Sequence, residues 1–192
     1  MQTSEQEAYT PQEQVCLLHT AREAIQARLA GEVYQHPPLH RYPDALMEHR
    51  ACFVTLKIRD QLRGCIGGFE ASRPLIDEVA QRACDAAFKD PRFEPLDARE
   101  LPELRIHIAV LNPTIPMEVT GRSDLLRQLR PGVDGILIEE GAYRGTFLPA
   151  VWESLPHREQ FLQALMHKAG LPSDYWSDSI RVYRYTCTDF GE

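Results

Sequence analysis

Residues 52 to 58, Cys52-Phe53-Val54-Thr55-Leu56-Lys57-Ile58, are followed after Arg59-Asp60-Gln61 by residues 62 to 68, Leu62-Arg63-Gly64-Cys65-Ile66-Gly67-Gly68. The first run alternates apolar and polar side chains as a half-buried strand does, and the second returns beside it, so the two predict an antiparallel hairpin. With Arg59-Asp60-Gln61 as a three-residue loop, Ile58 faces Leu62, Leu56 faces Gly64 and Val54 faces Ile66, and the apolar positions share one side. A two-residue loop sets Leu56 opposite Arg63 instead. A slip of one residue turns a whole strand over, so burial selects the three-residue loop.

The other face of that hairpin carries Phe53, Thr55, Lys57, Arg63 and Cys65. Two cations and a hydroxyl therefore sit beside a thiol, and cations near a thiol favour the thiolate, the nucleophilic and metal-binding form. Gly64 and Gly67 weaken a strand interior, which implies that another backbone or a ligand comes close there. The plain structural alternative pairs Arg63 and Lys57 with carboxylates and packs Cys65 under a helix.

Outward from the hairpin the chain reads as mixed helix and strand. Thr10-Pro11-Gln12-Glu13 combines an N-cap, proline at the first helical position and a glutamate three residues after the cap, and Leu18, Ala21, Ile25 and Leu29 recur at helical spacing before Gly31. Pro37, Pro38 and Pro43 make residues 36 to 44 a loop or extended connector. Ser72 caps a helix running to about Phe88, with Ile76, Val79, Ala80, Ala83 and Ala87 as its buried stripe and its free amides near Arg63. Residues 90 to 95 form a constrained loop that supplies Arg92. Residues 104 to 111 read as a strand with Arg105 and His107 on one side and Ile106, Ile108 and Val110 on the other. Ser123 caps a short helix through Arg130. Residues 134 to 140 and 145 to 151 pair across Gly141-Ala142-Tyr143-Arg144, residues 157 to 169 form a helix stopped by Gly170, and residues 180 to 186 form the final strand.

The 192 residues, 43% hydrophobic, suffice for one large core or two small lobes. A net charge of -7 argues against a broad basic surface for duplex nucleic acid. The opening MQTSEQEAYT lacks a charged start before an apolar run, and no stretch reaches the length of a spanning helix, so a soluble, cytoplasmic protein without membrane partners is expected. Cys16, Cys52, Cys65, Cys84 and Cys187 are scattered and form no CxxC pair, which fits reduced thiols. No GxxxxGK[ST] or GxGxxG is present, and His36, His40 and His49 lack zinc-site spacing, so no metal site is expected and no cofactor is identified. No linker or repeat divides the chain, and residues 1–192 read as a single domain.

The segment LRGCIGGFEASRPLIDEVAQRACDAAFKDPRFEPLDARELPELRIHIAVL, with DGILIEEGAYRGTFLPAVW after it, resembles the AMMECR domain family, the A component of the AmmeMemoRadiSam system, over about residues 12 to 187. The resemblance implies an α+β domain of two lobes, a mostly antiparallel sheet flanked by helices, and a cleft between the lobes lined by the Arg-Gly-Cys-Ile-Gly segment. It also implies Memo-like and radical-SAM proteins as companions in a modification pathway, without naming a reaction. Thr146-Phe147-Leu148-Pro149 and Trp152 depart from the family's usual residues.

Three functions follow. In the first, an enzyme or enzyme subunit uses Cys65 as nucleophile or covalent carrier, His107 or Lys57 in proton transfer, and Arg63, Gly64, Gly67, Lys57, Thr55 and Arg92 to bind a small anionic ligand. In the second, the glycines let a protein partner approach a non-catalytic module. In the third, Lys57, Arg63 and Arg92 form a local phosphate patch for RNA or a nucleotide.

Overall fold

Thr10 starts the first helix as its sequence dictates. In the computed structural model, which describes residues 9–192, α1 spans Pro11–Leu29. Residues 1–8, most of the opening MQTSEQEAYT, lie outside the described residues. Thr10 Oγ1 accepts the Glu13 amide at 3.3 Å, and the Glu13 carboxylate accepts the Thr10 amide at 2.8 Å, closing a capping box. The buried stripe is Leu17, Thr20, Ala21, Ala24 and Ile25, turned slightly from the expected one, with Leu18 and Leu29 only half-buried. Residues 36 to 44 hold a single 3-10 turn, Leu39–Arg41, and lead into the short α2, Asp44–Met47.

The chain forms two units. The first runs to Leu111 and takes back Thr188–Glu192 at the end. Its sheet contains β1 (Cys52–Ile58), β2 (Gln61–Gly67), β3 (Leu104–Leu111) and the chain's last strand, β8 (Cys187–Gly191), in the order β2-β1-β3-β8. Helix α3 (Leu75–Phe88) packs on β1 and β2 and against α1. Val54, Leu56, Ile106 and Ile108 from the sheet meet Leu17, Ile25, Ile76 and Val79 from the helices in one apolar core.

The hairpin reaches the expected register by another route. Arg59 and Asp60 form a two-residue turn, both with positive φ (51° and 63°), and Ile58 pairs with Gln61 and Lys57 with Leu62. A bulge between Leu56 and Lys57 then inserts Arg63, after which Leu56 faces Gly64, Thr55 faces Cys65, Val54 faces Ile66 and Phe53 faces Gly67. The expected Ile58–Leu62 pair is therefore corrected. Turns with two positive φ values match strand twist, and the bulge absorbs the residue that a longer loop would have held.

Helix α3 begins at Leu75 with Pro74 at its cap, not at Ser72. An isolated bridge between His49 and Pro74 keeps the chain extended there, and the Glu48 carbonyl accepts the Leu75 amide at 2.9 Å. The Asp77 and Glu78 amides turn back to the Pro74 carbonyl. The Leu75, Asp77 and Glu78 amides at the start of α3 are thus spent within the unit.

The second unit, Asn112–Cys187, carries β4 (Ile115–Pro116), α4 (Arg122–Gln128), β5 (Gly135–Glu140), β6 (Tyr143–Phe147), α5 (Arg158–Ala169) and β7 (Arg181–Tyr185). Its sheet order is β4-β7-β5-β6. Glu140 pairs with Tyr143, so the turn is Gly141-Ala142 and not four residues. Strand β6 stops at Phe147 because Pro149 opens a 3-10 turn, Pro149–Glu153. Gly121, not Ser123, caps α4, and Gly170 ends α5 in the left-handed region at φ 86°. Trp152 stacks on Phe161 at 3.7 Å, and its indole N–H donates to the Asp134 carbonyl at 2.7 Å, filling the core beside Ile136, Ile138 and Val182. The fold is α+β with antiparallel pairing in both sheets. Among the described residues no helix is long and apolar enough to cross a membrane.

Candidate functional site

Three residues from three strands stand side by side on the outer face of the first sheet. Cys65 of β2 is the direct partner of Thr55 on β1, and Thr55 is the direct partner of His107 on β3. Thr55 Oγ1 donates to Cys65 Sγ at 3.2 Å. All three side chains are half-buried. Adjacent strands lie about 4.8 Å apart, so Cys65 and His107, two strands apart, are separated by roughly 9–10 Å and Thr55 occupies the space between them. Direct proton exchange between the thiol and the imidazole is outside hydrogen-bond reach.

Strand β2 is an edge, and at Cys65 that edge is closed by a clamp from the loop after α3. Asp90 Oδ2 accepts the Cys65 amide at 2.8 Å, and Arg92 Nη2 donates to the Cys65 carbonyl at 3.3 Å. Asp90 and Arg92 bind each other through bonds of 2.9 and 2.6 Å. Both backbone groups of Cys65 that point away from β1 are therefore satisfied, which fixes the residue without a further strand. Cys84, by contrast, lies in α3 with its thiol 3.4 Å from the Ala24 carbonyl.

The remaining residues of the motif turn to other neighbours. Arg63 makes a bidentate pair with Glu100 at 2.7 and 2.9 Å, its guanidinium 5.9 Å from the centre of the Phe93 ring, and its side chain is only 15% exposed. Gly64 faces α3: a Cβ there would lie 2.1 Å from the Ala86 carbonyl oxygen. Gly67 lies under Phe53, whose ring leans across the missing Cβ position at 2.3 Å and meets Phe69 edge-on at 5.2 Å. The close approach implied by the two glycines is thus supplied by the unit's own backbone and ring. Lys57 is exposed on the same face as Thr55, opposite Arg105 of β3.

The AMMECR1 family model matches residues 18–190. The chain belongs to the AMMECR1 family. A protein of Methanothermobacter thermautotrophicus is 39% identical to it over 182 residues, covering 92% of each chain. A Methanocaldococcus jannaschii protein is 36% identical over 180 residues, covering 90% of this chain and 86% of that one. The crystal structure of an uncharacterized Pyrococcus horikoshii protein has the same fold, with a TM-score of 0.80, 34% identity and coverage of 92% of this chain and 89% of that one. The matched span of this AMMECR1 chain includes the Cys65-Thr55-His107 row and the Asp90-Arg92 clamp.

Electrostatics in the AMMECR1 site follow from these pairs. The Arg92 guanidinium, aided by the Cys65 and Arg92 amides, holds the Asp90 carboxyl well below the usual carboxylate range against the opposing effect of its burial. Arg63 lowers Glu100 in the same way. Burial pushes the Cys16, Cys52 and Cys84 thiols up, and Glu78 adds to the effect at Cys52 and Asp85 at Cys84. Asp90 and Glu100 were missed as site residues in the sequence, although the Asp90-Pro91-Arg92 spacing, with the acid two residues before the arginine, was a usable signal for a local ion pair.

Proposed function

We propose that this AMMECR1 protein is an enzyme, or the reacting subunit of one, in which Cys65 is the nucleophile toward a small electrophilic substrate. The observation that carries the reading is the Thr55 Oγ1 to Cys65 Sγ hydrogen bond of 3.2 Å on a strand segment clamped by Asp90 and Arg92. A thiol oriented by a donor and mounted on rigid backbone meets the positional demand of nucleophilic catalysis. Sulfur forms a bond to the electrophilic carbon, the leaving group departs with the bonding pair, and the thiol proton passes to water. Thr55 supplies a hydrogen bond to charge that develops on sulfur. His107 serves the far end of the substrate, in proton transfer at a group some 9–10 Å from the thiol. Memo-like and radical-SAM proteins are the proposed companions in a modification pathway.

The interaction-module reading drew on Gly64 and Gly67, whose contacts are met by Ala86 and Phe53. The phosphate-patch reading drew on Lys57, Arg63 and Arg92, and two of those three charges, Arg63 and Arg92, are met by Glu100 and Asp90. The enzyme reading is tested by timed iodoacetamide labelling at neutral pH with peptide mass spectrometry. Cys65 is expected to label ahead of Cys16, Cys52 and Cys84, and Thr55→Val to slow Cys65 about tenfold, the value of one hydrogen bond to a charged group. Labelling of Cys65 no faster than Cys84 overturns the reading.

A further inference from the structure

The outer face of the first sheet has three consecutive rows, not one. On one side of Cys65-Thr55-His107 lies Gly67-Phe53-Ala109, and on the other Leu62-Lys57-Arg105, as the strand pairings place them. Rows on one face of a sheet are about 7 Å apart. The first flanking row is apolar: Phe53 leans over Gly67 against Phe69, beside the small Ala109. The second is cationic. Lys57 and Arg105 are direct cross-strand partners, both exposed, and among the described residues neither has an ion-pair partner. Like charges placed directly opposite in a sheet repel, so the fold tolerates an arrangement that an anion between them would relieve.

This pair differs from the arginines that the sequence suggested for anion binding. Arg63 and Arg92 each hold an internal carboxylate, Glu100 and Asp90, and serve to shape the loop and strand edge. Among the described residues Lys57 and Arg105 have no such internal partner.

We propose that the substrate of Cys65 is a small three-part acid: a carboxylate or similar monoanionic group held between Lys57 and Arg105, an electrophilic centre over Cys65, and a flat apolar group against Phe53. The inference rests on the nucleophile reading and adds the substrate class. Lys57 and Arg105 determine specificity, with Arg105 suited to bidentate carboxylate recognition. The distances set a limit on size. From anion to apolar end the molecule spans about two row spacings, roughly 14 Å at most.

Two disulfide reagents of similar shape separate the claims. Dithiobis(nitrobenzoate) is aromatic and carries carboxylates, whereas dithiodipyridine is aromatic and neutral. In each case the Cys65 sulfur attacks one reagent sulfur, a mixed disulfide forms, and the aryl thiolate leaves with the electron pair of the cleaved bond. Rates are followed by absorbance of the released thiolate and assigned to Cys65 by peptide mass spectrometry. The ratio of anionic to neutral rates at Cys65 is expected to exceed that of free cysteine about tenfold and to fall with added salt. Lys57→Gln with Arg105→Gln is expected to return the ratio to the free-cysteine value while the neutral rate stays within about twofold of wild type. Phe53→Leu is expected to slow both aromatic reagents. A ratio unchanged by the double substitution overturns the anion subsite while leaving the nucleophile intact. Failure of Cys65 to react with the neutral reagent overturns the nucleophile reading and, with it, this inference.

Discussion

Gly64→Ala tests whether the motif's first glycine is there for α3. The added Cβ lies 2.1 Å from the Ala86 carbonyl oxygen and 3.1 Å from its carbon, both backbone atoms that cannot rotate aside. Ordinary contact requires β2 and α3 to part by roughly 1 Å, in a core that is close-packed and yields little. Overpacking of this kind costs about 1–3 kcal/mol, and a rigid backbone obstacle puts Gly64 at the upper end. Replacing glycine by alanine in a strand returns a fraction of that through lower unfolded-state entropy, about 0.5–1 kcal/mol. The net expectation is a loss of about 2 kcal/mol, read as a fall of about 4–8 °C in Tm for a chain of this size. Thermal and urea unfolding followed by circular dichroism give the number. Gly68→Ala is the internal control: its Cβ meets only the Arg82 guanidinium at 3.4 Å, and stability should stay within about 0.5 kcal/mol. Equal stability of Gly64→Ala and Gly68→Ala refutes the argument that helix packing dictates Gly64.

Two further substitutions probe the hairpin and its clamp. Asp90→Asn removes the charge that Arg92 and the Cys65 amide share, on a side chain only 2% exposed, and is expected to cost about 2 kcal/mol near neutral pH. Because the folded-state pKa of Asp90 is depressed, its contribution is full above the ordinary carboxylate value and fades as pH falls toward the folded value. The gap between variant and wild type should therefore close in acid, and a gap constant from pH about 7 to 3 would contradict the linkage. Asp60→Gly relieves a non-glycine residue at φ 63° in the hairpin turn and is expected to stabilise by about 0.5–1 kcal/mol, measurable by the same urea unfolding. Any loss of stability would mean that the Asp60 side chain has a role beyond the turn.

The sequence made one face of the hairpin legible because alternation is a local property. Val54, Leu56 and Ile66 had to share the core side, and that requirement alone put Thr55 beside Cys65. The path of the chain around the turn was less legible, since a three-residue loop and a two-residue turn followed by a bulge at Arg63 place every later residue in the same register. Alternation beyond the bulge cannot distinguish them; the local torsions of Arg59 and Asp60 decide. Non-local partners were harder still. His107 was read on the correct face of its own strand, but its place beside Thr55 depends on β3 pairing with β1, and the short β8, anchored by Phe190, gave little periodic signal. Asp90 was the least visible of all. A carboxylate that closes a strand edge acts through one amide of a residue 25 positions earlier, a relation with no sequence period. The same loop explains why Arg92 looked like a ligand-binding residue. Its guanidinium favours the ionised Asp90 that accepts the Cys65 amide, so the arginine acts on the site through the mount of the thiol. An anion at Lys57 and Arg105 then leaves the clamp undisturbed, whereas one drawn to Arg92 would compete with Asp90 and loosen the strand that carries Cys65.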